Sequence, residues 1–384
     1  MNGARVASVE LIPVSVPYRI PEVSSVVYRR GVTSVVVKIR DTDGRVGWGE
    51  ACVGASSEAV RAALETMRPF VVGQLVSDYE AIRHEVFHRG LWAYQAMTGS
   101  YAWCGLEMAL LDLHGQAQQK PMWSLWGELQ RTEVDYFYYF SRGNPELVDE
   151  QLEEVRNGGY RVVYLKVGLD SAVETSLLRE LRDKLGPEID LRVDANGAWT
   201  VEEALEHLAR WSAEFGIGLC EQPVPEFPPD LMQGLRRKLD IALAANEGMG
   251  PANLAEFFIR EEVADVYTFS PYWVSGSTEF LRLSGLASSK GATICRHTHG
   301  ELGIAATAFH HLALVTPGLG VGNQQTASEL SFDVLETPTP TRTSSIWGPI
   351  ESPGLGVSID DDALEKAAAI YAQVGQFLPY SPGG

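Results

Sequence analysis

Six polar side chains recur at nearly even spacing through the middle of the chain, each at the end of a short apolar run. They are Lys166, Asp194, Glu221, Glu247, Ser270 and His297. Three neighbouring carboxylates would repel one another unless a cation lay between them, and oxygen ligands are what Mg²⁺ takes. The acids therefore predict a magnesium site, with a lysine on one side and a histidine on the other.

A site with a metal between two groups that carry protons is suited to removing a proton from the carbon next to a carboxylate. The cation stabilises the enediolate that forms and lowers the pKa of the nearby lysine. We therefore predict that Asp194, Glu221 and Glu247 hold Mg²⁺ and that Lys166 is the base. Lys166 as a structural ion-pair partner of the acids is the alternative.

The spacing indicates that each polar residue ends one strand of a parallel barrel, because one βα unit takes about this length. Helical stretches, such as Ala172–Leu185 and Thr200–Phe215, separate the apolar runs. The predicted strands are Val134–Phe140, Val162–Lys166, Asp190–Asp194, Gly218–Glu221, Ile241–Glu247, Val266–Ser270, Thr293–His297 and one at about Gly320. Eight such units are typical of an α/β fold of the TIM-barrel type, which carries its active site at the carboxyl ends of the strands.

The first part of the chain has a different pattern, with strands first and helices after, which indicates an α+β domain. The predicted elements are strands Val6–Val16, Thr33–Arg40 and Gly47–Ala51 and helices Ser57–Leu75, Tyr79–Phe87 and Tyr101–Gln118. Asp360–Phe377 is predicted as a helix that packs back on this domain. We predict a domain at residues 1–127, completed by a tail from about 345 to 384, and a barrel at 128–344.

Composition excludes several classes of partner. The chain of 384 residues has 50 acidic and 31 basic side chains, for a net charge of -19. Nucleic acids and anionic membranes both need a positive face, so neither is expected as a partner. The four cysteines form no CxxC pair and predict free buried thiols. No apolar run is long enough to span a membrane or resembles a signal peptide, so a cytoplasmic protein is expected.

Several short motifs occur together in one order. They are Gly47-Trp-Gly-Glu-Ala, Trp103-Cys-Gly-Leu-Glu-Met-Ala-Leu-Leu-Asp-Leu, Asp194-Ala-Asn-Gly and Glu221-Gln-Pro. In this order and spacing the chain resembles the enolase superfamily, in its mandelate racemase and muconate lactonizing enzyme branch. The resemblance covers nearly the whole length. It implies a modified, (β/α)₇β-like barrel with an N-terminal capping domain, Mg²⁺ as cofactor and a small carboxylate as substrate. A homo-oligomer is also expected, since such barrels commonly form one.

The resemblance also implies roles for individual residues. Lys166 matches the second lysine of a Lys-x-Lys pair, whose first position is Tyr164 here. His297 matches the histidine of the seventh strand. Ser270 stands where the mandelate racemase type has an aspartate that orients this histidine, and the lysine of the muconate type is absent too. A histidine without a carboxylate partner is better suited to donate a proton than to remove one.

Some assignments stay open. In some relatives the third metal ligand comes one position earlier, at Asn246, although a carboxylate neutralises the cation better and favours Glu247. His299 competes with His297 as proton carrier.

Tyr164 is predicted to contact substrate, with orienting Lys166 or only filling the barrel mouth as alternatives. Asn196 is also predicted to contact substrate, with a place behind the metal ligands or in a turn as alternatives. Arg29 and Arg30 are predicted in a loop that either covers the site and binds an anionic substrate or is solvated surface.

Four functions follow in order of preference. The first is a Mg²⁺-dependent dehydratase of hydroxy or sugar acids, with Lys166 as base and His297 as acid. The second is a racemase or epimerase of a carboxylate substrate. A metal-dependent hydrolase ranks low because the first barrel strand has no histidine. A non-catalytic metal-binding barrel is a distant alternative, since Ser270 stands in place of an acid on the sixth strand. The substrate itself is not readable from the loops that we expect over the barrel mouth, around 18–30 and 51–57.

Overall fold

An antiparallel sheet opens the chain. In the computed structural model, which describes residues 3–90, 97–142 and 145–378, its strands lie in the order β1 (Val6–Val23), β2 (Tyr28–Asp41) and β3 (Val46–Cys52). β2 begins five residues before the predicted strand at Thr33. Arg29 and Arg30 therefore lie in a strand, paired with the end of β1, and the prediction of a loop there was wrong.

Helices α1 (Ser57–Val71), α2 (Tyr79–Gly90) and α3 (Thr98–Gln118) follow the sheet. α3 is buried along almost its whole length and lies against β3. The contact needs glycine, because a Cβ at Gly49 would lie 2.0 Å from the carbonyl oxygen of Gly105. α1 ends at Val71 rather than at the predicted Leu75, since Val72 is extended and Gly73 has a φ of +85°.

The end of the chain returns to this sheet. Helix α11 (Asp361–Val374) packs against β1. The Ser15 hydroxyl donates to the carbonyl of Gly375 over 3.0 Å, and the Phe377 amide donates to the Thr33 hydroxyl over 2.9 Å.

A parallel sheet of seven strands forms the second layer, each strand hydrogen-bonded to the next in chain order. Its strands are β5 (Tyr138–Phe140), β6 (Val162–Lys166), β7 (Asp190–Asp194), β8 (Leu219–Glu221), β9 (Ala242–Ala245), β10 (Val266–Phe269) and β11 (Thr293–Arg296). The helices around it are α4 (Val148–Asn157), α5 (Ser171–Leu185), α6 (Val201–Phe215), α7 (Asp230–Arg236), α8 (Ala252–Arg260), α9 (Ser277–Ser289) and α10 (Gly303–Val315).

The first predicted barrel strand, Val134–Phe140, is divided in the structure. Its start, β4 (Val134–Asp135), pairs antiparallel with β12 (Ile346–Trp347), and only β5 joins the parallel sheet.

An extended segment fills the eighth place of the barrel. Gly320 donates its amide to the carbonyl of Ile294 in β11 over 2.9 Å, and Phe137 donates to the carbonyl of Asn323 over 3.0 Å. These bonds connect the last strand to the first, so the predicted (β/α)₈-type barrel with an N-terminal capping domain is confirmed. The predicted strand near Gly320 is reduced to isolated bridges.

Several direct contacts hold the capping sheet to the barrel domain, and two of them join widely separated strands and loops. Glu50 in β3 is fully buried, and its carboxylate accepts the amides of Leu302 and Ala305 at the start of α10, over 2.9 and 3.0 Å. Tyr18 in β1 forms an antiparallel bridge with Leu330 beyond the barrel.

The cysteines are free and buried, as predicted. Across the described part of the chain, none of the helices combines the length and the apolar character that crossing a bilayer would require.

Candidate active site

The register of three neighbouring strands brings the first three site residues together. Lys166 ends β6, Asp194 ends β7 and Glu221 ends β8, and the pairing sets Lys166 opposite Asp194 and Asp194 opposite Glu221. Side chains at the carboxyl ends of parallel strands share one edge, so the three meet at the barrel mouth.

The other residues of the evenly spaced series, Glu247, Ser270 and His297, lie just beyond the ends of their strands. β9 ends at Ala245, before Asn246 and Glu247, while Ser270 and His297 follow directly after β10 and β11.

Lys166 and Asp194 form an ion pair, with Nζ 2.5 Å from Oδ2. Burial lowers the pKa of Lys166, but the charges of Asp194, Glu22 and Glu221 outweigh burial and raise the pKa above its ordinary value. Lys166 is therefore an ammonium in the structure as it stands, and its readiness to accept a proton depends on what else neutralises Asp194.

Glu221 is as deeply buried as Asp194. The Tyr164 hydroxyl donates to its Oε2 over 2.5 Å, and Gln324 Nε2 lies 3.4 Å from Oε1. Burial and the neighbouring Asp194 raise the pKa of Glu221 well above its ordinary value. Tyr164 stacks on Phe137 inside the barrel, with 4.4 Å between ring centroids, so its hydroxyl is held at the mouth.

Asn196 connects Glu247 to Asp194. Its Nδ2 donates to Glu247 Oε1 over 2.9 Å and lies 3.4 Å from Asp194 Oδ2, while its backbone amide donates to Asp194 Oδ1 over 2.8 Å. A left-handed backbone at Asn196, with φ at 48°, turns the side chain this way. Glu247 is exposed at the cavity, and the surrounding protein atoms that displace water from its carboxyl, followed by the charge of Asp194, raise its pKa to about 7.

Asn246 lies beside Glu247 but has different hydrogen-bond partners. It is buried, its Nδ2 donates to the carbonyl of Thr268 over 2.9 Å, and its backbone amide donates to Gln222 Oε1 over 2.9 Å. Asn246 and Glu247 both line the cavity described below.

The donor set suits a hard cation. It consists of carboxylate oxygens that follow three consecutive strands. Loss of water raises the pKa values of Glu221 and Glu247, and repulsion by Asp194 adds to this shift. As the side chains stand, with Lys166 paired to Asp194, no three His, Cys, Asp or Glu of the described residues surround one common ion position. The ammonium of Lys166 neutralises part of the charge that a metal would otherwise neutralise.

The opposite wall is built on histidine and tryptophan. The imidazole of His297 packs against the indole of Trp273 at 4.3 Å between ring centroids, and the indole N–H donates to Nε2 of His299. Ser270 does not replace the missing aspartate, because its hydroxyl accepts the amide of Tyr272 over 3.2 Å. Nδ1 of His297 is buried without a hydrogen-bond partner among the described residues.

The surroundings of His297 and His299 determine their protonation states. Burial, then His299 and Lys166, lower the pKa of His297 well below its ordinary value, and burial lowers the pKa of His299 to about 3. Both rings are therefore neutral near pH 7. Nε2 of His299 accepts the indole N–H of Trp273. His297 is therefore the better placed of the two rings to exchange a proton.

A cavity of about 380 Å³ lies between these walls. Lys166, Tyr164, Asn196, Glu247 and His297 line it, so five of the seven predicted site residues meet at one space. Asp194 and Glu221 lie beneath its floor, both fully buried.

Arg29, which the sequence analysis singled out, also lines the cavity, and Glu22 and Ser24 line it from the segment around 18–30 that was expected over the barrel mouth. The lining residues that the sequence did not point to include Trp273 after β10, Tyr139 in β5 and Gln324 to Thr326 after β11. Trp273 follows a predicted strand end by a few residues, which was a usable signal. Within its segment Glu22 carried no signal of its own, because its place depends on packing between the two layers.

Comparisons with known proteins agree with this architecture. Residues 6–127 match the family described as mandelate racemase / muconate lactonizing enzyme, N-terminal domain, and residues 147–363 match the family described as enolase C-terminal domain-like.

Individual relatives span nearly the same length. L-Ala-D/L-Glu epimerase of Bacillus subtilis (strain 168) is 28% identical over 337 residues, covering 84% of this chain and 88% of that protein. Arabinonate dehydratase of Saccharolobus solfataricus is 25% identical over 340 residues, covering 86% and 90%. A crystal structure of an enolase from Pseudomonas fluorescens Pf0-1, with bound magnesium, potassium and tartrate, superposes with a TM-score of 0.88 at 18% identity, covering 98% of this chain and 95% of that one.

Proposed function

This chain belongs to the mandelate racemase and muconate lactonizing enzyme branch of the enolase superfamily, and on that premise we propose that it is a Mg²⁺-dependent dehydratase of a hydroxy or sugar acid. Its relatives include named epimerases, racemases, cycloisomerases and a dehydratase, so the chain is an enzyme of this group. The finer choice among these reactions rests on the side chains around the cavity.

One observation carries the choice of dehydration. Lys166 is the only lysine among the described residues that line the cavity. Of the two imidazoles on the wall across from it, His299 accepts the indole N–H of Trp273, and His297 has no carboxylate partner among the described residues. Removal of a proton on one face, followed by loss of a β-hydroxyl, needs one strong base and one acid. Racemisation needs a competent base on each face.

Asp194, Glu221 and Glu247 would hold the magnesium ion. When bound, the ion supplies positive charge that binds the substrate carboxylate and stabilises the enediolate. Asn196 supports this set by keeping Glu247 turned toward Asp194. Asn246 is the weaker candidate for third ligand, since its amide is already engaged with the carbonyl of Thr268.

Lys166 begins the reaction at the α-carbon. Once the charge of Asp194 is neutralised otherwise, burial of Lys166 lowers its pKa and the neutral amine accepts the α-proton. Tyr164, donating to Glu221, and Gln324 hold the floor of the cavity in place during this step.

His297 completes the reaction. The neutral imidazole takes up a proton from solvent as negative charge develops on the substrate and gives it to the departing β-hydroxyl, which leaves as water. The resulting enol rearranges to a 2-keto acid. Trp273 keeps the ring against the cavity wall.

The test is incubation of the Mg²⁺-loaded enzyme with a panel of aldonic and aldaric acids, with detection of a 2-keto acid. Product from at least one acid, lost in Lys166→Met, supports the proposal. The absence of product across the panel contradicts it.

Epimerisation or racemisation is the second candidate, and the neutral state of His297 favours it. An imidazole across the cavity from Lys166 can accept a proton from the other face. Exchange of the α-proton with D₂O from both stereoisomers of one substrate supports this reaction, and exchange from one stereoisomer alone excludes it.

A further inference from the structure

The loop that carries both imidazoles of the cavity is bracketed by a buried ion pair. Arg296 ends β11, and Glu301 lies just before α10 begins. Nη1 of Arg296 donates to Oε1 of Glu301 over 2.6 Å, and each side chain is 2% exposed. We call residues 297–300, which lie between the two, the histidine loop. Its two ends are thus joined by opposite charges.

The ion pair lies on the helix side of β11. Neither Arg296 nor Glu301 is among the described residues that line the cavity, whereas the residues of the histidine loop all line it. The Arg296 guanidinium lies 5.7 Å from the ring centroid of Phe309 in α10. Because successive side chains of an extended chain point to opposite sides, Arg296 faces α10 and His297 faces the cavity. The pair can therefore affect the site only through the main chain of the loop.

Arg296 also joins the histidine loop to the segment in the eighth place of the barrel. Its Nη2 donates to the carbonyl of Gln324 over 2.7 Å, and the Gln324 amide donates to the Arg296 carbonyl over 3.0 Å. The side chain of Gln324 contacts two parts of the site, because its Oε1 accepts the amide of Thr298 over 3.1 Å and its Nε2 lies 3.4 Å from Glu221. A continuous set of hydrogen bonds thus runs from the ion pair and the histidine loop to the floor of the cavity.

His297 depends on this main chain because few side-chain contacts fix its ring. Its Nδ1 is buried without a hydrogen-bond partner among the described residues, and the ring packs against Trp273. Its backbone amide donates to the carbonyl of Phe269 in β10 over 2.9 Å. Trp273 sets the tilt of the imidazole, and the histidine loop sets the point from which the imidazole extends.

Stability alone is a weak reason for such an ion pair. Removing two charges from water costs about as much free energy as their attraction returns, and apolar side chains of similar volume can often replace a buried pair without loss of stability. Nε of Arg296 and Oε2 of Glu301 are also buried without hydrogen-bond partners among the described residues. What the pair supplies is one defined separation between the two ends of the histidine loop.

We propose that Arg296 and Glu301 are positioning residues for His297: their ion pair fixes the histidine loop so that the imidazole meets the departing hydroxyl of the substrate. The inference rests on the proposed function, in which His297 supplies the proton for this step. Neither residue of the pair touches the substrate. Loss of the pair should therefore leave proton removal by Lys166 intact and impair the step that takes place on the opposite wall.

The experiment removes both charges at once, in Arg296→Met/Glu301→Leu, so that no unpaired charge stays buried. The substrate is the aldonic or aldaric acid that the Mg²⁺-loaded parent converts fastest. In D₂O, NMR then reports two quantities from one sample, which are deuterium at the α-carbon of the recovered substrate and formation of the 2-keto acid.

The double variant should separate these two quantities. We expect kcat for product to fall at least about tenfold with KM changed by less than about threefold, because a misplaced acid affects the chemical step. The ratio of exchange to product should rise at least about threefold, since a deprotonated substrate that does not eliminate takes up deuterium from the exchanged ammonium of Lys166. General damage to the fold would lower both quantities and leave their ratio unchanged.

Two further variants calibrate the result. His297→Asn removes the acid itself and sets the largest ratio that the site can show. Arg296→Lys keeps a positive charge beside Glu301 and should retain at least about one third of the parent kcat. Lysine and methionine have similar length, so a difference between the variants at position 296 reflects the ion pair rather than the space that the side chain fills.

The matched control is a second buried ion pair, on the side of the barrel that carries Lys166. Arg142 and Glu174 lie 2.7 Å apart, Glu174 is fully buried, and neither is among the described residues that line the cavity. In Arg142→Met/Glu174→Gln the new amide oxygen can still accept the amide of Leu169, as Glu174 does in the parent. This variant should leave the ratio of exchange to product unchanged.

An unchanged ratio in Arg296→Met/Glu301→Leu overturns the inference, and so does an equal rise in the control variant. If the double variant does not fold, Glu301→Asp, which keeps the charge but shortens the side chain, should raise the ratio, and an unchanged ratio there overturns the inference as well.

A parent that gives neither product nor exchange contradicts the proposed function but not the positioning of His297. The positioning is then measured without substrate, from the rate at which diethylpyrocarbonate labels His297, read by mass spectrometry. Release of the imidazole from Trp273 should make labelling faster in the double variant than in the parent and the control variant. Equal rates in all three proteins overturn the inference.

Discussion

The indole of Trp273 lies against the imidazole of His297, with 4.3 Å between the ring centroids, in the place where the sequence offers no carboxylate to orient the histidine. The indole N–H donates to Nε2 of His299, which fixes the tryptophan on one side, and its ring packs against the imidazole of His297 at an interplanar angle of 36°. Packing on an aromatic plane therefore orients His297 in place of an aspartate at position 270.

Trp273→Leu should consequently impair catalysis more than binding. We expect kcat to fall by roughly 10- to 100-fold with a small change in KM, because a displaced proton carrier mainly affects the chemical step. Trp273→Phe keeps a flat ring and should retain most of the activity. Equal loss in both variants would mean that the hydrogen bond to His299, rather than the ring contact, positions the site.

Lys166→Met should abolish exchange of the substrate α-proton with D₂O, by roughly 10²- to 10⁴-fold, as expected for loss of a general base. The same change leaves the buried Asp194 without its ion-pair partner. Stability without metal should then fall, by on the order of 3 kcal/mol. Added MgCl₂ should recover more thermal stability in the variant than in the parent, measured by differential scanning calorimetry.

Lys166→Arg serves as the control, because it keeps the positive charge beside Asp194 but does not act as a base near neutral pH. It should lose exchange while losing less stability. If exchange persists in both variants, another group removes the proton.

Magnesium affinity tests whether Glu247 or Asn246 is the third metal ligand. Glu247→Gln should weaken Mg²⁺ binding by about tenfold or more, since a carboxylate is replaced by a neutral amide. Asn246→Ala should change it by no more than about threefold, because the Asn246 amide is tied to Thr268. Calorimetric titration with MgCl₂ gives both values without any substrate. A larger loss in Asn246→Ala would assign the third ligand to position 246.

Glu50 predicts a pH dependence of stability. Burial raises its pKa from the ordinary 4.5 to about 7, so folding takes up a proton between these two values. Its contribution to stability is fully present below pH 4.5 and is lost as pH rises toward 7. A shift of this size corresponds to roughly 3 kcal/mol.

Glu50→Gln imitates the protonated form and removes this dependence. Relative to the parent, the variant should be more stable at pH 8 than at pH 5 by that amount, measured by urea unfolding at both pH values. A difference that does not vary with pH would show that the amides of Leu302 and Ala305 keep Glu50 ionised throughout.

The barrel could be predicted because its signals are local. The predicted strands Val162–Lys166 and Asp190–Asp194 match β6 and β7 at both ends. Residues at the carboxyl ends of neighbouring parallel strands lie at the same end of the barrel, and this does not depend on the rest of the chain. The spacing was therefore enough to bring Lys166 and Asp194 together, and the structure has them in direct contact.

The side of the cavity that faces the capping sheet could not be predicted in the same detail. Glu22 and Arg29 line it from β1 and β2, and contacts between segments far apart in the chain, such as the bridge between Tyr18 and Leu330, hold this sheet in place. No periodic pattern in either segment encodes that contact. Trp273 is an intermediate case, since it follows a strand end, but the face that it turns to His297 depends on the loop between β10 and α9.

The bridge between Tyr18 and Leu330 also bears on how the molecule is made. A growing polypeptide leaves the ribosome amino end first, so β1 emerges long before its partner beyond the barrel exists. Contacts between such distant segments form slowly, because a long loop must close first. The bridge forms only after residue 330 has been synthesised, so a truncated product that ends after β11 would contain all seven strands of the parallel sheet but lack this connection to the capping sheet.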